Sequence, residues 1–85
     1  MPFSIVASAS VTVMALGGDL DVFTVERLHP ELLALLRRRP VRVEVDLSRL
    51  RSISPRGLRV LASFFAELAR TACRITVTGI RHAKF

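Results

Sequence analysis

Eighty-five residues make one domain near the lower limit of independent stability, able to bury roughly 60–65% of the surface its unfolded form exposes. Hydrophobic residues make up 51%, which excludes a disordered chain, and a lone cysteine, Cys73, excludes an internal disulfide and a multi-cysteine metal site. The net charge is +6, with twelve of the thirteen basic residues arginine, but these are spread along the chain and read as a solvated surface rather than a nucleic-acid-binding stripe.

Phe3 to Ala7 alternates as a short strand, and Ser8-Ala9-Ser10 is a turn. Val11 to Leu16 is a second strand, with Val11, Val13 and Ala15 on one face; the two form a hairpin, and Gly17-Gly18 is expected to stop it. Asp21 suits a helix N-cap, because its carboxylate accepts bonds from free backbone N–H groups. Val25, Leu28, Leu32, Leu35 and Leu36 then fall at helical spacing. Pro30 lies inside this pattern, and a continuous but kinked helix is expected rather than a fresh start at Pro30. It ends in Arg37-Arg38-Arg39, where cations complement the helix dipole, and Pro40 blocks continuation.

Val41, Val43 and Val45 alternate with Arg42, Glu44 and Asp46, the pattern of a half-buried strand with a solvated charged face. Leu47 to Ile53 is expected to be a connection anchored on the core by Leu47, Leu50 and Ile53. A second helix runs from about Pro55 to Thr71, with Leu58, Leu61, Ala62, Phe65, Leu68 and Ala69 on its apolar side. Val60 and Phe64 fall at the margin of that arc, either as a flank of the core or as an edge that contacts a partner. Arg74 to Thr78 is the last strand, Cys73 before it is a small core residue, Gly79 ends it, and Ile80 to Phe85 is a short basic tail. The order β-β-α-β-α-β implies an α/β fold: a small mixed sheet, its later strands parallel through right-handed crossovers, with both helices mainly on one face.

No catalytic set is present. His29 and His82 are far apart and lack clustered carboxylates. Asp19, Asp21 and Asp46 are supporting acidic residues that could gather at the strand ends around a cation, but capping and loop bonding explain them more simply, and no metal or cofactor is expected. The turn from Ser52 to Gly57 carries more information. Ser54 is a hydroxyl N-cap and Pro55 occupies the first helical position, where its missing N–H costs nothing. A helix start also favours negative charge, whether a phosphate on Ser52 or Ser54 or an acidic side chain of a partner, with Arg56 nearby.

Three motifs in register resemble the STAS domain family, the sulfate-transporter and anti-sigma-factor-antagonist family. Gly18-Asp19-Leu20-Asp21 resembles its Gly-x-Leu-Asp before the first helix. Val43-Glu44-Val45-Asp46-Leu47-Ser48 resembles its strand ending in Asp-Leu-Ser, and Ile53 to Leu58 resembles its Asp-Ser-Ser-Gly-Leu turn. The resemblance spans nearly the whole chain and implies a single non-catalytic protein-interaction module. Antagonist members bind a kinase-like anti-sigma factor, which phosphorylates the first serine of the turn and so switches binding off. Other members are subunits of lipid-transport ATPases, parts of stress-signalling assemblies, or tails of anion transporters.

This chain departs from the family at the turn. Ser54 stands at the acidic position, Pro55 at the phospho-acceptor serine and Arg56 at the second serine. Phosphorylation at position 55 is therefore impossible, and Ser54 or Ser52 would have to act as a displaced phosphosite. The expected function is a STAS module in bacterial regulation with the serine switch lost. Its partner-binding residues would be Ser52, Ser54, Pro55, Arg56, Gly57, Arg59, Val60 and Phe64, and its partner an anti-sigma factor kinase, a STAS-assembly subunit or a transport ATPase. Regulated antagonism through Ser54 or Ser52, a role as the STAS subunit of a lipid-transport ATPase, and nucleotide or nucleic-acid binding by the arginines are the alternatives. The family's usual C-terminal helix is expected to be lacking, so a homo-oligomer, or a complex that supplies the missing cover, is expected to cover the sheet. The N-terminus lacks the pattern of a signal peptide and no stretch reaches the roughly 20 apolar residues of a membrane span, so a soluble, cytoplasmic protein without membrane insertion is expected.

Overall fold

A computed structural model describes residues 3–79. The elements run β1 (Phe3–Ala7), β2 (Thr12–Leu20), α1 (Val22–Arg37), β3 (Arg42–Ile53), α2 (Pro55–Ala69) and β4 (Arg74–Thr78). They build a four-stranded sheet in the order β1-β2-β3-β4, with β1 antiparallel to β2 and the other pairs parallel. The order and the directions are those expected from the pattern of strands and helices. The tail from Ile80 to Phe85, with His82, lies outside the described residues.

One core fills the space between the sheet and the helices. Met14 and Leu16 of β2, Val43 and Val45 of β3, Val25, Leu28, Leu32 and Leu35 of α1, and Leu61, Phe64 and Leu68 of α2 are all buried. The strand β2 starts at Thr12 rather than Val11; its inward face is Thr12, Met14 and Leu16, and Val13 and Ala15 lie on the opposite face. Side chains alternate along a strand, so which set turns inward is decided by the face of the sheet that the helices cover. Cys73 packs half-buried at the core's margin, and burial pushes its thiol pKa up.

Three expectations are corrected. Gly17-Gly18 does not stop β2. Gly18 takes φ +66, the ladder shifts register between Ala15 and Gly17 and again between Gly18 and Asp19, and pairing with β3 runs on through both glycines to Asp19 and Leu20. The bulge inserts Arg51 into β3, and Gly18 opposite it meets its own left-handed geometry without strain. Nor is 47–53 a connection: β3 continues to Ile53, because the resumed β2 gives it backbone partners. Leu47 and Leu50 are nevertheless buried and Ile53 packs against them, so the anchoring expected of these side chains holds.

The third correction is the rotation of α2. Its buried line is Gly57, Leu61, Phe64 and Leu68, whereas Leu58 is 45% exposed and Ala62 and Ala69 are exposed. The apolar arc is broad enough for more than one setting. Gly57 selects this one by letting the helix approach Leu20 and Val25 closely. By contrast α1 passes through Pro30 as one helix, its start capped by Asp21 accepting from Thr24 N at 2.9 Å.

Candidate functional site

The paired ends of β2 and β3 present the turn. Along this ladder Asp46 is registered with Ala15, Arg49 with Gly17, Leu50 with Gly18 and Ser52 with Asp19. Arg51 is therefore the unpaired residue of the bulge, and its guanidinium reaches Asp19 Oδ2 at 3.0 Å. The Ser52 hydroxyl donates to Asp19 Oδ1 at 2.7 Å. Asp19 thus holds two side chains of β3 in place just before the helix.

Ser54 joins strand to helix. Its backbone N–H donates to Leu20 O at 2.9 Å, and its Oγ accepts from Gly57 N at 3.0 Å. It is the N-cap of α2, with Pro55 in the first turn as expected. Gly57 is required by packing. A Cβ there would lie 3.0 Å from Ile53 Cγ1, 3.1 Å from Val25 Cγ2 and 3.2 Å from Leu20 O. Arg56 turns to α1 and pairs with Glu26 at 3.6 Å across an exposed surface.

Beyond Arg56 a groove of about 310 Å³ opens between α1 and α2. Leu33 and Leu36 of α1 and Val60 of α2 supply apolar walls, and Arg56, Arg59 and Glu67 of α2 add charged lining, two cations to one carboxylate. Val60 is half-buried and reachable from the groove. Phe64 is not an exposed anchor, contrary to the partner-edge expectation. It is 3% exposed and lies in the core, its ring 5.7 Å from that of Phe65, because the setting of α2 turns it towards the sheet. The α1 side of this groove, Leu33 and Leu36 with His29, escaped sequence reasoning. Leu33 interrupts the buried line of α1 as an exposed leucine, but only the neighbouring helix turns that into a wall.

The acidic residues do not converge. Asp21 caps α1, and Asp46 accepts from Ser48 N at 2.9 Å. Asp46 lies six residues before Ser52 along β3, roughly 20 Å from the Asp19 clamp at strand rise. Bonds from Thr24 hold the Asp21 carboxyl below the usual carboxylate pKa, and bonds from Ser48 do the same for Asp46. Among the described residues no cluster of His, Cys, Asp and Glu is arranged to hold a metal. No helix among them is long and apolar enough to cross a membrane.

Comparison with known proteins gives the same fold. A family model described as "Mlab, STAS domain" matches residues 3–84. An anti-sigma factor antagonist from Mycobacterium paratuberculosis superposes with a TM-score of 0.75 at 23% identity, over 88% of this chain and 63% of that one. An antisigma-factor antagonist STAS domain from Rhodobacter sphaeroides gives 0.72 at 20% identity, over 96% of this chain and 89% of its own. The Bacillus cell fate determinant SpoIIAA, in its phosphorylated form, gives 0.70 at 21% identity, over 86% and 68%. The chain thus spans less than two thirds of the mycobacterial structure's length. No curated protein matches the sequence.

Proposed function

The chain belongs to the STAS domain family, and from that membership we propose a non-catalytic protein-interaction module of the anti-sigma factor antagonist kind. The observation that carries this reading is the junction of the helix start with the groove. Ser54 caps α2, and Arg56 and Arg59 rim an apolar cleft walled by Leu33, Leu36 and Val60. A partner that offers carboxylates beside an apolar side chain is matched on both counts. The contact residues are Ser52, Ser54, Pro55, Arg56, Arg59 and Val60, while Gly57 and Phe64 shape the surface from beneath.

In this reading the serine switch is lost. Pro55 has no hydroxyl, the Ser54 Oγ is engaged as a cap by Gly57 N, and the Ser52 hydroxyl is held by Asp19. SpoIIAA, a neighbour in fold, exists in a phosphorylated form. The present chain, incubated with ATP and the kinase of its native partner, keeps its intact mass; a phosphate found on Ser54 or Ser52 overturns the loss of the switch. Arg56→Asp weakens capture of the native partner without unfolding the protein, since the exposed pair with Glu26 contributes at most about 1 kcal/mol. Unchanged capture by Arg56→Asp would place the contact elsewhere.

A further inference from the structure

Among the described residues β4 is an edge of the sheet, and apart from its short length and Arg74 it has none of the devices that keep edges from pairing. It reads Arg74-Ile75-Thr76-Val77-Thr78, β-branched after the arginine, with no proline and an unbroken register against β3. One bond fixes which way its backbone faces: Arg74 N–H donates to Val41 O at 2.9 Å. Alternate residues of a parallel ladder serve the same neighbour. Arg74, Thr76 and Thr78 therefore bond towards β3, and Ile75 and Val77 turn their N–H and C=O groups outward.

The side chains above this edge are also open. Ile75 and Val77 are registered with the buried Val43 and Val45, so they point to the helix side, yet Val77 is 40% exposed. The flank of α2 turned away from α1 carries Leu58, Ala62, Phe65 and Ala69 and no charge. The opposite edge differs. Over β1, Glu31 and Arg38 of α1 border the cleft above Ile5 and Ala7.

We propose that β4 pairs antiparallel with β4 of a second copy of this chain, about a two-fold axis at Thr76. The strand is complementary to itself in that register. Ile75 falls opposite Val77 of the second copy, and their outward N–H and C=O groups satisfy one another. On the outer face Arg74 falls opposite Thr78 of the second copy, which is registered with that copy's Asp46. Two strand spacings, roughly 10 Å, separate Arg74 from this Asp46, a gap that an extended arginine and a carboxylate largely close. A chain of net charge +6 thus meets its copy with arginine near carboxylate at both ends and no arginine opposite arginine. The contact leaves the α1–α2 groove free, so the dimer does not rest on the function proposed above.

Light scattering of the full chain at tens of micromolar gives twice the 9.4 kDa of one copy. Val77→Pro removes an outward donor and no bond to β3, so it stays folded by circular dichroism and becomes monomeric. Arg74→Asp weakens dimerisation about tenfold, roughly one lost charge pair, and Asp46→Arg in the same chain restores it. A wild-type monomer overturns the proposal and leaves the edge to residues 80–85 or to another protein. A folded Val77→Pro dimer overturns it equally. If Val77→Pro does not fold, the charge exchange decides, and failure of Asp46→Arg to rescue Arg74→Asp sinks the pairing.

Discussion

Gly57 links the fold to the candidate site. The absent side chain brings α2 against Leu20 O, and that carbonyl also accepts the Ser54 N–H. The carbonyl cannot retreat from a new methyl group without loosening the turn. Gly57→Ala is therefore expected to lower unfolding stability in urea by about 1–3 kcal/mol. Ser54→Ala removes the cap and costs about 1 kcal/mol in the same measurement, whereas Ser54→Asp keeps a capping acceptor and stays close to the parent. Asp21 and Asp46 contribute to the acid limb of stability. Their folded pKa values are depressed, so their contribution is fully present above the unfolded carboxylate value and is lost as pH falls through the folded one. The thermal midpoint should hold steady through neutral pH and decline below about pH 4, with a smaller decline in an Asp21→Asn, Asp46→Asn double variant.

Among the elements, α1 stands against its own proline. Pro30 lies in the middle of a helix running from Val22 to Arg37, where it leaves the Glu26 carbonyl without its usual donor. Burial of Leu28, Leu32 and Leu35 on either side holds the helix together. Pro30→Ala at this exposed position should raise the thermal midpoint, with a gain of about 1–3 kcal/mol. The hydrophobic repeat on both sides of Pro30 makes that continuity legible in the sequence. The extension of β2 and β3 is not legible in the same way. Gly17-Gly18 has the local chemistry of a stop, and only the ladder to β3 carries the strand through Gly18, past the bulge at Arg51, to bring Asp19 to Ser52 and Arg51. Local backbone preference and long-range pairing compete there, and pairing wins because it satisfies the backbone groups of both strands.

For the whole molecule, strand alternation, helical spacing and the caps at Asp21 and Ser54 are properties of neighbours in the chain. They are enough to order the six elements and to find the turn at which β3 delivers the chain to α2. The same local chemistry shows that Pro55 has no hydroxyl to phosphorylate. Which face of each element turns inward is a different matter, because it depends on residues far apart in sequence. β2 buries Met14 rather than Val13 because of how it packs under α1 and α2, and α2 buries Phe64 while leaving Leu58 exposed because Gly57 admits close contact with Leu20 and Val25. Burial takes Phe64 out of the expected partner edge, and the groove beside Arg56, Arg59 and Val60 needs both helices to exist. Periodicity along one helix limits its buried arc to a range of angles; the angle within that range comes from the shape of what it packs against.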